Sequence, residues 1–139
     1  MPVSALLSRS LLSNGNLMSD SLVPGGARAE FRTRERVYIT ELMNDAENPR
    51  VSLANARVEP GVTTELHRLR VDEWYVIRSG AGRMEVGGNE PFEVGPGDTV
   101  VIPAGVSQRI TNIGADDLML QCICIPRFTP DTYEPMEDD

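Results

Sequence analysis

The chain has 139 residues, 13 basic and 21 acidic side chains, a net charge of −8 and 40% hydrophobic content, which suits one domain with a real core and not two. Every basic residue apart from the single histidine is arginine, so Schiff-base chemistry and a lysine general base are excluded. Asp131, Glu134, Glu137, Asp138 and Asp139 supply five of the negative charges, leaving a body of about −3 with no basic surplus for nucleic-acid phosphates.

Residues 1–30 are rich in Ser, Leu, Gly and Asn and end in Pro24-Gly25-Gly26-Ala27. Val3, Leu6, Leu7 and Leu11 recur at helical steps. The segment is expected to be an extension, flexible or docked on a partner subunit. Its leucine pairs are broken by serine and only Arg9 is basic before Asp20, which is not a signal-peptide pattern, and no run is long enough to span a bilayer.

From Glu30 onward the pattern is of short β-runs. Val37 to Ile39, Val51 to Val58, Thr63 to Leu69 and Trp74 to Arg78 come first. Arg83 to Val86 leads through the hairpin signal Gly87-Gly88-Asn89 to Phe92–Val94. Thr99 to Ile102, Gln108 to Asn112 and Leu118 to Ile125 complete the set. Strands at this spacing predict an all-β, antiparallel sandwich or barrel over residues 31–128, followed by an exposed acidic tail over 129–139. Cys122 and Cys124 share one face of a strand and are too close to bridge without strain. Unpaired thiols suit a reducing, cytoplasmic setting.

Two spaced patterns carry more. Gly61, His67, Glu73 and Gly80 form one, and Gly97, Pro103, Gly105 and Asn112 form the other. Together they resemble the two motifs of the cupin family, matching eight of its ten fixed positions; Leu69 and Gln108 stand where histidines are expected. The resemblance implies an antiparallel double-stranded β-helix (a jelly-roll barrel) that commonly dimerises, so a homodimer is expected. It also implies one divalent transition metal (Fe, Mn, Ni, Zn or Cu) inside, with His67, Glu73 and Gln108 as the converging ligands.

Imidazole and carboxylate suit such ions, whereas an amide oxygen is a poorer donor. Alternatives stay open: a structural His67, a Glu73 paired with Arg68 or Arg70, and a Gln108 that only hydrogen-bonds across the cavity. Glu65 shares the parity of His67 and is a candidate base, and Tyr75 shares that of Glu73 and is a candidate proton donor. Arg57, Asn55, Leu69, Ile110 and Cys124 are candidate substrate contacts, Arg57 being equally a solvated strand residue. The function expected is a metal-dependent enzyme of dioxygenase or isomerase/lyase type on a small oxygenated molecule. The alternative is a non-enzymatic binder of a sugar or metabolite with a degenerate metal site. A metal-free epimerase ranks last, because no aspartate shares the inner face of His67.

Overall fold

The computed structural model describes residues 21–26 and 28–138. The helical stripe expected at Val3 to Leu11 lies outside them. Eleven strands follow in order: β1 (Phe31–Arg32), β2 (Tyr38–Met43), β3 (Ser52–Val58), β4 (His67–Leu69), β5 (Asp72–Ser79), β6 (Gly82–Val86), β7 (Phe92–Val94), β8 (Thr99–Ile102), β9 (Gln108–Asn112), β10 (Leu118–Ile125) and, after a short 3₁₀ turn, β11 (Tyr133–Pro135). They form two antiparallel sheets, β11-β4-β9-β6-β7 and β1-β2-β3-β10-β5-β8. The expected all-β sandwich is the fold observed, and the hairpin at Gly87 joins β6 to β7 with Met84 opposite Phe92.

Alternation along each strand decides what lies inside. In β3 the small residues Ala56 and Val58 are buried with Ser52, while Asn55 is exposed. In β6 and β9 the buried positions are Met84 and Val86, and Gln108, Ile110 and Asn112. The main core gathers Ile77, Met84, Ile102, Ile110 and Leu118 between the sheets. A smaller cluster of Leu69, Val71 and Cys124 is closed by Phe128 and Tyr133. Gly80 is required by contact: a Cβ there would lie 2.8 Å from the Asp117 carbonyl oxygen, and its φ is +91°.

The C-terminal segment differs from expectation. Residues 129–137 are not a free tail: β11 pairs with β4, Tyr133 opposite Leu69 and Pro135 opposite His67. Glu134 is salt-bridged to Arg68 at 2.8 Å, and Glu137 accepts the Leu66 amide at 2.7 Å and pairs with Arg36. The edge of β4 has unpaired amides and carbonyls to satisfy, and the tail's carboxylates find arginines beside it. Hence the strand docks, and contacts with the barrel continue through Glu137.

Candidate functional site

A cavity of about 130 Å³ lies between the sheets, with Val37, Ile39, Ala56 and Leu120 among its apolar walls. Its polar lining includes Glu35, His67, Glu73, Tyr75, Cys124 and Tyr133. Exposed Phe31 and half-buried Thr33, Glu41 and Asn44 also line it, so it reaches the surface at that end.

His67 begins β4 and is buried, its side chain 3% accessible. Its Nδ1 lies 2.7 Å from the Glu65 carbonyl oxygen and 3.5 Å from Glu35 Oε2. A carbonyl only accepts, so Nδ1 carries the proton in the neutral ring. Nε2 then has a free lone pair, and no described residue hydrogen-bonds it. The Tyr133 ring stacks on the imidazole, centroids 4.6 Å apart and planes 16° from parallel.

Across the interior, Glu73 and Tyr75 stand on β5 and Gln108 on β9, in the opposite sheet. Gln108 Nε2 donates to Glu73 Oε1 at 2.9 Å, and Tyr75 OH donates to Gln108 Oε1 at 2.6 Å. Cys124 Sγ lies 3.6 Å from the other Glu73 oxygen. Burial pushes the Glu73 carboxyl up to about 7, against the lowering effect of its bonds from Gln108 and the two thiols. Burial likewise lifts Glu35 to about 7, with His67 opposing and Glu73 and Glu65 adding to the rise. The Tyr75 hydroxyl is held well above its ordinary value, first by burial and then by Glu73, so it stays a donor.

The expected metal set does not fit this arrangement. Gln108 has its amide oxygen accepting from Tyr75 and its nitrogen donating to Glu73, so it is oriented by its neighbours and offers an ion at most the second lone pair of a neutral oxygen. The Glu73 oxygens are engaged by Gln108 and Cys124, and His67 is braced by Glu35 and the Glu65 carbonyl. Among the described residues, no group of three or more His, Cys, Asp or Glu side chains is placed to hold a metal.

The remaining expected site residues divide cleanly. Leu69, Ile110, Tyr75 and Cys124 line the cavity. Arg57 does not: it lies on the outer face, bridging Glu30 at 2.8 Å and Asp117 at 3.3 Å and covering the Tyr38 ring at 4.2 Å. Asn55 faces out with it, since the parity of β3 turns Ala54 and Ala56 inward. Glu65 is buried but outside the lining, its carboxylate bonded to Arg34 at 3.1 and 2.8 Å and to Tyr133 OH at 2.5 Å. Burial would raise that carboxyl, and the bonds from Tyr133 and Arg34 outweigh it and lower its pKa, so Glu65 is poorly placed as a base. Its backbone carbonyl holds His67 instead.

Glu35 is the residue the sequence reading missed. A signal was present: Phe31, Thr33, Glu35, Val37, Ile39 and Glu41 all line the cavity, one unbroken period of two. The turn between β1 and β2 obscures it. There Arg36 adopts a left-handed φ of +72°, fixed by its guanidinium on the Thr63 carbonyl at 2.9 Å and on Glu137. Such a conformation costs an L-residue roughly 1–2 kcal/mol.

A family model for the cupin domain matches residues 55–125. An uncharacterized protein of Methanocaldococcus jannaschii is 36% identical over 110 residues, covering 77% of this chain and 87% of its own length. Among solved structures, oxalate decarboxylase from Bacillus subtilis is similar with a TM-score of 0.68 and 20% identity over 81% of this chain, which spans only 31% of that protein's length. A predicted oxalate decarboxylase from Thermotoga maritima gives a TM-score of 0.66 and 23% identity, over 76% of this chain and 98% of that one. The polyketide cyclase RemF from Streptomyces resistomycificus gives a TM-score of 0.69 and 17% identity, over 85% of this chain and 86% of that one.

Proposed function

The chain belongs to the cupin family, and we propose that its barrel is a metal-independent enzyme of isomerase or lyase type that moves a proton on a small molecule, with His67 as the general base. The observation that carries this reading is the Glu35–His67 pair. A buried imidazole with Nδ1 held by a carbonyl at 2.7 Å and a carboxylate at 3.5 Å keeps Nε2 as the acceptor within the cavity wall. When Nε2 takes a proton from the substrate, the ring becomes a cation, and the Glu35 carboxylate stabilises it at short range. The logic is that of an orienting acid behind a histidine base, reached here without an aspartate on the strand of His67.

The surrounding groups support the same chemistry. Apolar walls lower the effective dielectric around the base, strengthening its interaction with Glu35. Glu73, near neutrality in its carboxyl titration, is suited to return a proton at the far side. Tyr75 and Gln108 hold that carboxyl in place. The proton removed from one carbon and the proton delivered to another balance in an isomerisation; in a lyase reaction the second goes to the leaving group.

The test is solvent exchange. Chelator-treated protein is incubated in D2O with a panel of small carbonyl compounds, and carbon-bound deuterium is read by mass spectrometry. Incorporation that survives chelation and is lost in His67→Asn is expected. Incorporation that vanishes on chelation and returns with an added divalent metal would overturn the reading.

A further inference from the structure

The proposed proton-transfer reading places the ligand in the cavity; the chemistry of the wall narrows what that ligand is. Among the described lining residues the ionisable acid–base groups other than tyrosine and cysteine are Glu35, Glu41, Glu73 and His67, with no arginine, and the chain has no lysine. Most lining donors are engaged by the protein itself, and the Ser52 and Thr64 hydroxyls, which accept from the Phe128 and Ile110 amides, are neutral. Thr33 Oγ1 donates to the Val37 carbonyl, and Asn44 Nδ2 to Glu41 and the Phe128 carbonyl. Tyr75 donates to Gln108 and Tyr133 to Glu65.

Acceptors are left over. Among the described residues, Glu35 receives no hydrogen bond shorter than its 3.5 Å approach to His67, and none bonds His67 Nε2, although the His67 side chain is only 3% accessible. An orphan acceptor in that position is the independent sign of a ligand: a buried polar atom without a partner costs about 1–3 kcal/mol unless something fills the site. The geometry points to a small organic cation, an ammonium group on an apolar body, as the molecule this cavity takes.

Three physical terms agree. An ammonium brings three donors to a wall whose charged groups and orphan imidazole nitrogen are acceptors. Its charge is neutralised by carboxylates, without which burying it would be prohibitive. Its apolar body meets Val37, Ile39 and Leu120, with Phe128 in the same wall. A carboxylate or phosphate ligand fails on the same terms, having like charges facing it and no arginine or lysine in the lining to neutralise it. The volume of about 130 Å³ is close to that of engineered cavities that hold benzene, so the body is of order six to eight non-hydrogen atoms.

Three isosteric probes separate charge from shape: benzylammonium, benzyl alcohol and benzoate. Affinities are measured by calorimetry on the full chelator-treated chain near pH 8, while the ¹⁵N signals of the sole histidine report whether the cavity is entered. Benzylammonium is expected to bind at least about ten-fold tighter than benzyl alcohol and to move the His67 signals, with benzoate unbound. Glu35→Gln should weaken the cation by about ten-fold and leave the alcohol nearly unchanged. Benzoate or benzyl alcohol binding as tightly as the cation, with the His67 signals moved, overturns the cation inference and keeps the cavity as a ligand site. Binding of none of the three with unmoved signals overturns both, and so does cation binding that leaves His67 unmoved, since a chain of charge −8 attracts cations to its surface.

Discussion

Glu35 Oε2 lies 3.5 Å from His67 Nδ1, joining the turn before β2 to the first residue of β4 at the wall of the cavity. That approach fixes which face of the imidazole is braced and which is open. It also gives the barrel a histidine–carboxylate pair from two segments far apart in the chain.

The first consequence concerns the tautomer. With Nδ1 donating to the Glu65 carbonyl, the neutral ring should carry its proton on Nδ1, the reverse of the usual preference in water. Because His67 is the sole histidine, ¹⁵N-histidine labelling gives one pair of ring signals to read. An Nε2-protonated ring above pH 8 would remove the arrangement on which the base assignment stands.

Metal content should follow the donor set. The wild type, dialysed against Mn(II), Ni(II) or Zn(II) and then freed of excess ion, should retain well below one ion per chain. The double variant Leu69→His with Gln108→His restores imidazoles at two motif positions and removes the amide that ties up Glu73. It should gain stoichiometric binding. A wild type that holds a full equivalent would contradict the site geometry.

Gln108 is fully buried and ties the two sheets together through Glu73 and Tyr75. Gln108→Leu leaves one oxygen of a buried carboxyl and a phenol without partners, which should lower unfolding free energy by about 2–3 kcal/mol. Urea denaturation measures it. A loss under about 0.5 kcal/mol would mean the network is dispensable.

The pH dependence of stability has a defined sign. The Glu73 carboxyl titrates near 7 in the fold against 4.5 ordinarily, so the native state keeps a proton that the unfolded chain has already released. Its contribution is therefore full below about pH 4.5 and is lost as pH rises through about 7, a change on the order of 3 kcal/mol. Glu35 acts in the same direction. Relative to wild type, Glu73→Gln should gain stability progressively between pH 5 and 8. A constant difference across that range would show that Glu73 is ionised throughout.

Docking of the C-terminal segment should be measurable through Tyr133, which stacks on His67 and bonds Glu65. Tyr133→Leu should cost about 2 kcal/mol, combining lost stacking with a lost hydrogen bond to a charged group. Glu134→Gln breaks an ion pair whose side chains are both about 40% exposed and should cost well under 1 kcal/mol. Equal effects would place Tyr133 outside the site.

The barrel was legible in the order of residues alone. Turn glycines and period-two runs are local features, so Ser52–Val58, Thr99–Ile102, Gln108–Asn112 and Leu118–Ile125 were legible within a residue or so. That order also placed His67, Glu73, Tyr75, Leu69, Ile110 and Cys124 in the interior, because parity and motif spacing agree there. What those side chains bond to emerged from the packing of the two sheets. Whether Gln108 faces an ion or a neighbouring carboxylate depends on the gap between two sheets, which no spacing along one strand encodes. The inward turn of Glu35 and the docking of β11 likewise depend on partners remote in sequence, His67 for the one and the open edge of β4 for the other. Arg57 was the opposite case: alternation allowed either face, and the charges of Glu30 and Asp117 settled it outside.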